Sequence, residues 1–251
     1  MVDIHSHVLP GVDDGARTLE DSITMLTIAA GAGTTDIVAT SHSNTEYVWD
    51  PDIVEDRLNE VQSAIGDRIR VYSGCELHIT FDNINDAIAH PAKYTINHKQ
   101  WILIEFSDLI IFQNSGDILH RLRDAGMLPI IAHPERNQIM QNRFDTLEQW
   151  VFEGAFLQLT GQSLLGTFGT GVRKFSERLI EKGLVHFVAS DAHDASYRTP
   201  KLDEAFQWLT GRYGEEYARL VTVDNPRATI LGRSLSGQDP PKRKKWLGLF
   251  G

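Results

Sequence analysis

The opening stretch MVDIHSHVLPGVDDGA holds two histidines one residue apart, His5 and His7, followed by adjacent aspartates, Asp13 and Asp14. On an extended strand, residues i and i+2 project from one face. Both imidazoles therefore point the same way, with Asp3 on that side too. Paired imidazoles near carboxylates are what a divalent cation coordinates. The same residue types recur along the chain: His42 in TSHS, Glu76 in GCEL and Glu105 in LIEF. His133, Glu135 and Arg136 follow in AHPER, then Asp191 and His193 in SDAH, and Arg198 shortly after. The set is imidazole and carboxylate without thiolate, which suits Mn, Fe, Co or Zn better than a copper or iron–sulfur centre. So many ligands exceed the needs of one ion and fit two or three, with a carboxylate bridging. Such a cluster lowers the pKa of a bound water and neutralises a phosphate.

These residues need elements that bring them together. Apolar runs rich in Val and Ile read as buried strands over 35–42, 69–79, 101–106, 128–135, 155–161 and 185–193, with the opening strand as a seventh. Helical patterns fall between them, over roughly 18–30, 51–65, 115–125, 143–153, 170–182 and 201–210. Thr18 and Asp145 read as helix N-caps, and Gly126, Gly154 and Gly183 as C-terminal stops. Alternating strands and helices imply a parallel α/β sheet, open or closed into a barrel. In such folds functional side chains gather at the C-terminal ends of strands. Nearly every strand here delivers a His, Asp or Glu to that end. Unpaired buried carboxylates and imidazoles would cost several kcal/mol each, a cost that bound cations remove. The segment 80–100 lacks a clear period and reads as a short helix and loop over the mouth.

Composition narrows the class further. The chain has 251 residues, a formal net charge of −10 and one cysteine. The acidic balance argues against nucleic-acid binding, and a lone Cys75 fits a reducing compartment. No signal peptide or run long enough to span a membrane is visible, so a cytoplasmic location is expected. Cys75 does not open a cysteine-phosphatase loop, because Phe81 stands where C-x5-R needs its arginine. His78, His90, His98, His120 and His186 read as structural or exposed, although His78 lies only two residues from Glu76. Glu135 reads as an orienting group behind the ligands. GTFGTG (166–171) lacks a P-loop lysine and reads as a mobile loop near the mouth.

The combination DIHSH…DDG, SHS, GCE, AHPERN and SDAH resembles the polymerase and histidinol phosphatase (PHP) superfamily. Within it, the chain is most similar to bacterial manganese-dependent protein-tyrosine phosphatases of capsule and exopolysaccharide operons. The resemblance spans about residues 1–232 and implies a distorted seven-stranded (β/α) TIM-like barrel with a three-metal cluster, Mn foremost. It implies that His5, His7 and Asp191 bind one ion, with Glu76 bridging to a second held by Glu105 and His133. Asp14, His42 and His193 would hold the third; Asp13 is an alternative to Asp14, since sequence does not orient adjacent side chains. Arg136 and Arg198 would grip phosphate oxygens, with Asp191 or His193 assisting the chemistry. Histidinol phosphatases of the superfamily commonly carry histidines where Asp14 and Glu105 stand here. The implied activity is hydrolysis of phosphotyrosine, on the tail of a membrane tyrosine kinase that regulates polysaccharide export. The alternative is a small-molecule phosphomonoesterase of the histidinol-phosphatase type. A single domain is expected over 1–238, followed by a basic, aromatic tail (239–251, containing KRKKW), a flexible segment or a contact with a membrane or kinase. The sequence is compatible with a homo-oligomer.

Overall fold

Alternation along each strand sorts the chain into two apolar layers. In β4 (Trp101–Glu105), Ile102 and Ile104 face outward into the main core, while Trp101 and Leu103 join an inner cluster. The same alternation puts Cys75 and Leu77 of β3 (Arg70–His78) outside and Tyr72 inside. Carried to the strand ends, the inner rows finish with Glu105 and Glu76. The remaining strands are β1 (Val2–Ser6), β2 (Asp36–Ser43), β5 (Leu128–Ala132), β6 (Phe156–Thr160) and β7 (Val185–Ala189). The computed structural model describes residues 1–112, 114–235 and 240–242. Its strands form one seven-stranded sheet in sequential order, and every neighbouring pair is parallel.

The sheet curls until its ends meet. The Asp191 N–H donates to the His5 carbonyl and the His7 N–H to the Ala192 carbonyl, both at 2.8 Å. A single parallel bridge joins Ser6 and Ala192. The result is a nearly closed α/β barrel. Its interior is filled below the mouth by Val2, Ile4, Val38, Leu103, Ile130 and Phe187 around Trp101, and Ile96 and Ile230 belong to the same cluster.

Around the barrel run α1 (Leu19–Gly31), α2 (Pro51–Ile65), α3 (Phe81–Ala89), α4 (Pro91–Tyr94), α5 (Ser115–Asp124) and α6 (Gln138–Gln141). They are followed by α7 (Phe144–Phe152), α8 (Gly161–Leu165), α9 (Thr170–Glu181), α10 (Asp203–Tyr213), α11 (Glu215–Arg219) and α12 (Asn225–Ile230). Thr18 caps α1 reciprocally: its hydroxyl accepts from the Asp21 N–H (3.2 Å) and Asp21 accepts from the Thr18 N–H (3.1 Å). The cap expected at Asp145 falls elsewhere. Arg143 occupies the cap position of α7, and Asp145 lies in its first turn, where its charge complements the helix dipole. Gly126, Gly154 and Gly183 take the left-handed φ expected of them (84°, 99° and 73°).

The connection over 80–100 differs from a mouth loop. It begins at the mouth with α3, then runs the length of the barrel, because a parallel β4 must start at the opposite end. Ile96 thereby enters the inner cluster, and the Asn97 amide donates to the Ile230 carbonyl at 2.9 Å. Of the basic tail, only 240–242 are among the described residues, so the expectation for 239–251 as a whole lies outside them. Among the described residues no helix is long and apolar enough to cross a membrane.

Candidate metal centre at the barrel mouth

The strand ends are shaped as much by interruption as by regular structure. A register shift between Asp3 and Ser6 breaks the plain alternation of β1. Val2 and Ile4 join the inner apolar cluster, and after the shift His5 and His7 reach the mouth. Bulges of this kind re-aim side chains beside active sites. Asp3 does not join them. Its carboxylate accepts from the Ser190 N–H (3.0 Å) and the His5 N–H (3.3 Å), sealing β1 against the end of β7. Burial pushes its carboxyl up to about 6. Strands β5 and β7 stop earlier than the apolar runs suggest, because His133 and Asp191 have positive φ (30° and 52°). Such backbone costs on the order of 1–3 kcal/mol per non-glycine residue and concentrates at functional sites.

Four atoms, His5 Nε2, His7 Nε2, Glu76 Oε2 and Asp191 Oδ1, face one another. Glu76 lies 3.1 Å from His5 and 3.3 Å from His7. Asp191 lies 3.4 Å and 3.5 Å from the same two rings. The two Nε2 atoms are 3.3 Å apart. Ligands about 2.0–2.2 Å from a shared ion stand about 3–3.5 Å from each other. The second Glu76 oxygen, Oε1, lies 2.9 Å from His133 Nε2, which is 3.9 Å from Glu105 Oε1. Asp14 Oδ1 lies 3.4 Å from both His42 Nε2 and His193 Nε2. Three overlapping groups with the spacing of metal ligands result: His5, Glu76, His133 and Asp191; His42, Glu76 and Glu105; and His7, Asp14, His42 and His193. All nine expected ligands are thus brought together.

The hydrogen bonds behind the rings show what the cluster lacks. His5 Nδ1 donates to Gln158 Oε1 at 2.9 Å, and the His133 N–H donates to the same oxygen at 3.4 Å, fixing which end of the amide faces them. His7 Nδ1 donates to Asp13 Oδ2 at 2.7 Å. His193 Nδ1 donates to the Asp191 carbonyl at 3.1 Å. With each Nδ1 carrying the proton, each Nε2 presents a lone pair to the cluster. Glu76 Oε2, Asp191 Oδ1 and His42 Nδ1 are buried there without a hydrogen-bond partner among the described residues. Facing lone pairs and carboxylate oxygens need cations between them; the residues fit a metal centre.

The charges respond accordingly. Burial works against the Glu76 and Asp191 carboxylates, yet the His5 ring beside them holds both well below the usual range. Burial opposes protonation of His133, but the Glu76 carboxylate outweighs it and pushes the ring up to about 9. Asp14 is held far below its usual value by His193 and His42. His193 is lowered by burial and by the neighbouring His7.

Asp13 and Asp14 separate cleanly. Asp13 turns inward to His7, the His42 N–H (3.0 Å) and the Gly15 N–H (3.0 Å), whereas Asp14 faces the mouth at 46% side-chain exposure. Gly15 makes this turn possible, since a Cβ there would stand 2.5 Å from the His7 Cβ. Both arginines reach Asp191: Arg136 pairs with Oδ2, and Arg198 Nη2 donates to the same oxygen at 2.6 Å. Arg198 Nε is buried without a partner among the described residues. Phe168, in the glycine-rich loop, covers the Arg136 guanidinium at 4.7 Å, so that loop does lie at the mouth.

Glu135 does not orient a ligand. It accepts from the Thr160 N–H (2.9 Å) and the Ser163 hydroxyl (2.6 Å), anchoring α8. His78 does approach the site, with Nδ1 3.3 Å from Glu105 Oε2. Gln158 was not anticipated; its signal in the sequence is a lone amide inside the apolar strand FLQLT.

A seven-stranded α/β barrel with imidazoles and carboxylates converging at its mouth defines a PHP-type barrel with a candidate metal centre. The chain belongs to the family described as "Capsular polysaccharide synthesis, CpsB/CapC", whose profile matches residues 1–231. CapC of Staphylococcus aureus is 36% identical over 261 residues, covering 100% of both chains. YwqE of Bacillus subtilis (strain 168), named a tyrosine-protein phosphatase, is 35% identical over 256 residues and also covers 100% of both. Among solved structures, a chain from the crystal structures of B. subtilis YwqE and Streptococcus pneumoniae CpsB superposes with a TM-score of 0.89 at 33% identity, covering 98% of this chain and 100% of its own. Those two proteins are described as unique metal-dependent tyrosine phosphatases.

Proposed function

We propose that this protein is a metal-dependent protein-tyrosine phosphatase acting in capsule or exopolysaccharide synthesis. The observation that carries the reading is the pair of arginines beside the ligand cluster. Arg136 and Arg198 share Asp191 Oδ2, while Asp191 Oδ1 faces the rings. The names of the relatives and the metal dependence of the solved structures support the same conclusion.

His5, His7, Asp14, His42, Glu76, Glu105, His133, Asp191 and His193 would hold the metal, which we take to be three ions, manganese foremost. When bound, the ions supply a water acidic enough to attack phosphorus and neutralise phosphoryl charge. Arg136 and Arg198 grip the equatorial oxygens; Arg198 Nε has a proton to donate and no acceptor among the described residues. Asp191 aligns both guanidiniums before substrate arrives, a preorganisation that removes reorganisation cost at the moment of reaction. His193 has both ring nitrogens engaged, Nδ1 on the Asp191 carbonyl and Nε2 facing Asp14, so its part is to hold metal rather than to carry a proton to the leaving group. A phenolate leaves with a pKa of about 10, so the demand for an acid is modest. Cys75 takes no part: it is fully buried on the outer row of β3, and burial raises its thiol pKa well above the usual value.

The substrate is a phosphotyrosine protein, the tail of a membrane tyrosine kinase, met in the cytoplasm by one catalytic domain over 1–238. The basic tail 239–251 raises the local concentration at that membrane. Initial rates on a phosphotyrosine peptide and on histidinol phosphate test the reading, using metal-stripped protein reloaded with Mn²⁺ and a His5→Ala variant. Metal-dependent release from the peptide alone, lost in the variant, is expected. Preference for histidinol phosphate overturns the substrate. Deleting 239–251 should slow action on the intact kinase and spare the peptide.

A further inference from the structure

Exposed large apolar side chains become informative when they cluster. Five stand on the exits of three strands: Val48 after β2 (87% exposed), Phe81 after β3 (79%), and Leu109 (91%), Ile110 (53%) and Phe112 (58%) after β4. These strands are consecutive in the barrel, so the five residues form one arc of the mouth rim. Neighbouring strands are about 4.8 Å apart, and three exits span about 10 Å. A metabolite-sized phosphate has too few atoms to cover both the ligand cluster and such an arc. The arc is braced rather than draped. The Asn83 amide donates to the Ser43 and His78 carbonyls (2.8 and 2.9 Å), and the Asn137 amide donates to the Ser107 carbonyl (3.0 Å).

Charge gives the arc a direction. Residues 44–50, 80–83 and 106–112 contain Glu46, Asp50, Asp82 and Asp108 but no lysine or arginine. Glu46, Asp82 and Asp108 are exposed. From outside, Arg143 meets the third loop at the Ile111 carbonyl (3.2 Å). The rest of the mouth carries Arg136, after the neighbouring β5, and Arg198, after β7. The rim is therefore two-sided, cationic where phosphate is gripped and apolar-acidic over the β2–β4 exits beside it.

We propose that this arc docks the polypeptide flanking the phosphotyrosine and selects a segment carrying apolar and lysine or arginine side chains. The proposal rests on the phosphotyrosine reading and adds the chemistry of the substrate around the modified residue.

The test uses full-length Mn²⁺-loaded protein and labelled peptides, with and without phosphate on the tyrosine. One series has Leu, Phe and Lys flanks; the other has Ala, Ser and Glu. The variant combines Leu109→Ser, Ile110→Ser and Phe112→Ser. Losing even one buried apolar contact of about 1.5 kcal/mol is worth about tenfold. KM for the apolar–basic phosphopeptide should therefore rise at least that much. Its kcat, and kcat/KM on p-nitrophenyl phosphate, should stay within twofold. A Glu46→Lys/Asp82→Lys variant should weaken the same peptide without touching the apolar residues. Fluorescence anisotropy of the unphosphorylated apolar–basic peptide reads the arc without catalysis, so a protein inert toward phosphotyrosine still answers the question. Equal KM for both series, unchanged by either variant, overturns the proposal. So does a dimer in sedimentation that the serine variant dissociates while peptide binding is unaffected, since the arc is then covered by a second copy.

Discussion

Gln158→Leu isolates what a single buried amide does for the candidate metal centre. Leucine is close in volume, so β6 keeps its packing. Two donors lose their acceptor: His5 Nδ1 at 2.9 Å and the His133 N–H at 3.4 Å. An unpaired buried donor costs about 1–3 kcal/mol. The change also removes Gln158 Nε2, itself buried without a partner among the described residues, which returns part of that cost. The metal-free protein should therefore lose only about 1–2 kcal/mol of stability. The larger effect falls on the ring. Without the acceptor, the His5 proton is free to sit on Nε2, the atom that must be bare to coordinate a cation. Loss of such a hydrogen bond behind a ligand weakens metal binding about 10–100-fold, or about 1.4–2.7 kcal/mol. Calorimetric titration of metal-stripped protein with Mn²⁺ measures the affinity, and thermal unfolding without metal measures the fold. Gln158→Glu, which keeps an acceptor, should recover most of the affinity. Binding by Gln158→Leu within twofold of wild type would refute the argument that this amide sets the tautomer.

Other substitutions probe separate links. Gly15→Ala places a Cβ on the His7 backbone and should cost about 1–3 kcal/mol by overpacking, seen as a lower Tm together with weakened metal binding at Asp14. Arg136→Lys keeps the charge but loses the two-pronged fork. Its kcat on a phosphotyrosine peptide should fall about 100-fold while Mn²⁺ affinity holds. Burial lowers the His186 ring to about 4, from 6.5. Between those values only the unfolded chain takes the proton, so stability falls as pH drops from 6.5 toward 4 and is fully retained above 6.5. The total is about 3 kcal/mol, and urea unfolding across this range should be flatter by that amount in His186→Gln. Thr18→Ala removes one half of the α1 capping box and should cost about 1 kcal/mol in Tm or urea midpoint, with kcat unchanged.

Much of the barrel is legible in the sequence because parallel strands buried on both faces must be nearly continuous apolar runs. The inner-row periodicity that ends in Glu76 and Glu105 is visible in the same letters. What escapes is whatever depends on a backbone departing from regularity. The register shift in β1 separates Asp3 from His5, and the left-handed turns at His133 and Asp191 end their strands early. Neither leaves a glycine to mark it. The choice between Asp13 and Asp14 needed the turn around Gly15, and the path of 80–100 needed the direction of β4. Glu135 looked like a ligand's partner because it is two residues from His133; adjacency along the chain did not translate into adjacency in space.

The seam between β1 and β7 carries a consequence for how the protein comes into being. Along most of the barrel, neighbours are joined by ladders, but here the first strand waits for the last. The Asp3 carboxylate takes the Ser190 N–H across 187 residues. His5 and His7 stand on one bank, Asp191 and His193 on the other. Ions proposed to lie between them act as a clasp on a loop embracing most of the barrel, and closing so long a loop with a cross-link is worth about 5 kcal/mol in lost chain freedom. During synthesis the amino-terminal half of the clasp emerges first and has nothing to close upon. A chain cut short before residue 191 would therefore be an open hoop that captures metal poorly and does no chemistry. The charged site is in effect a receipt that the ring has been completed.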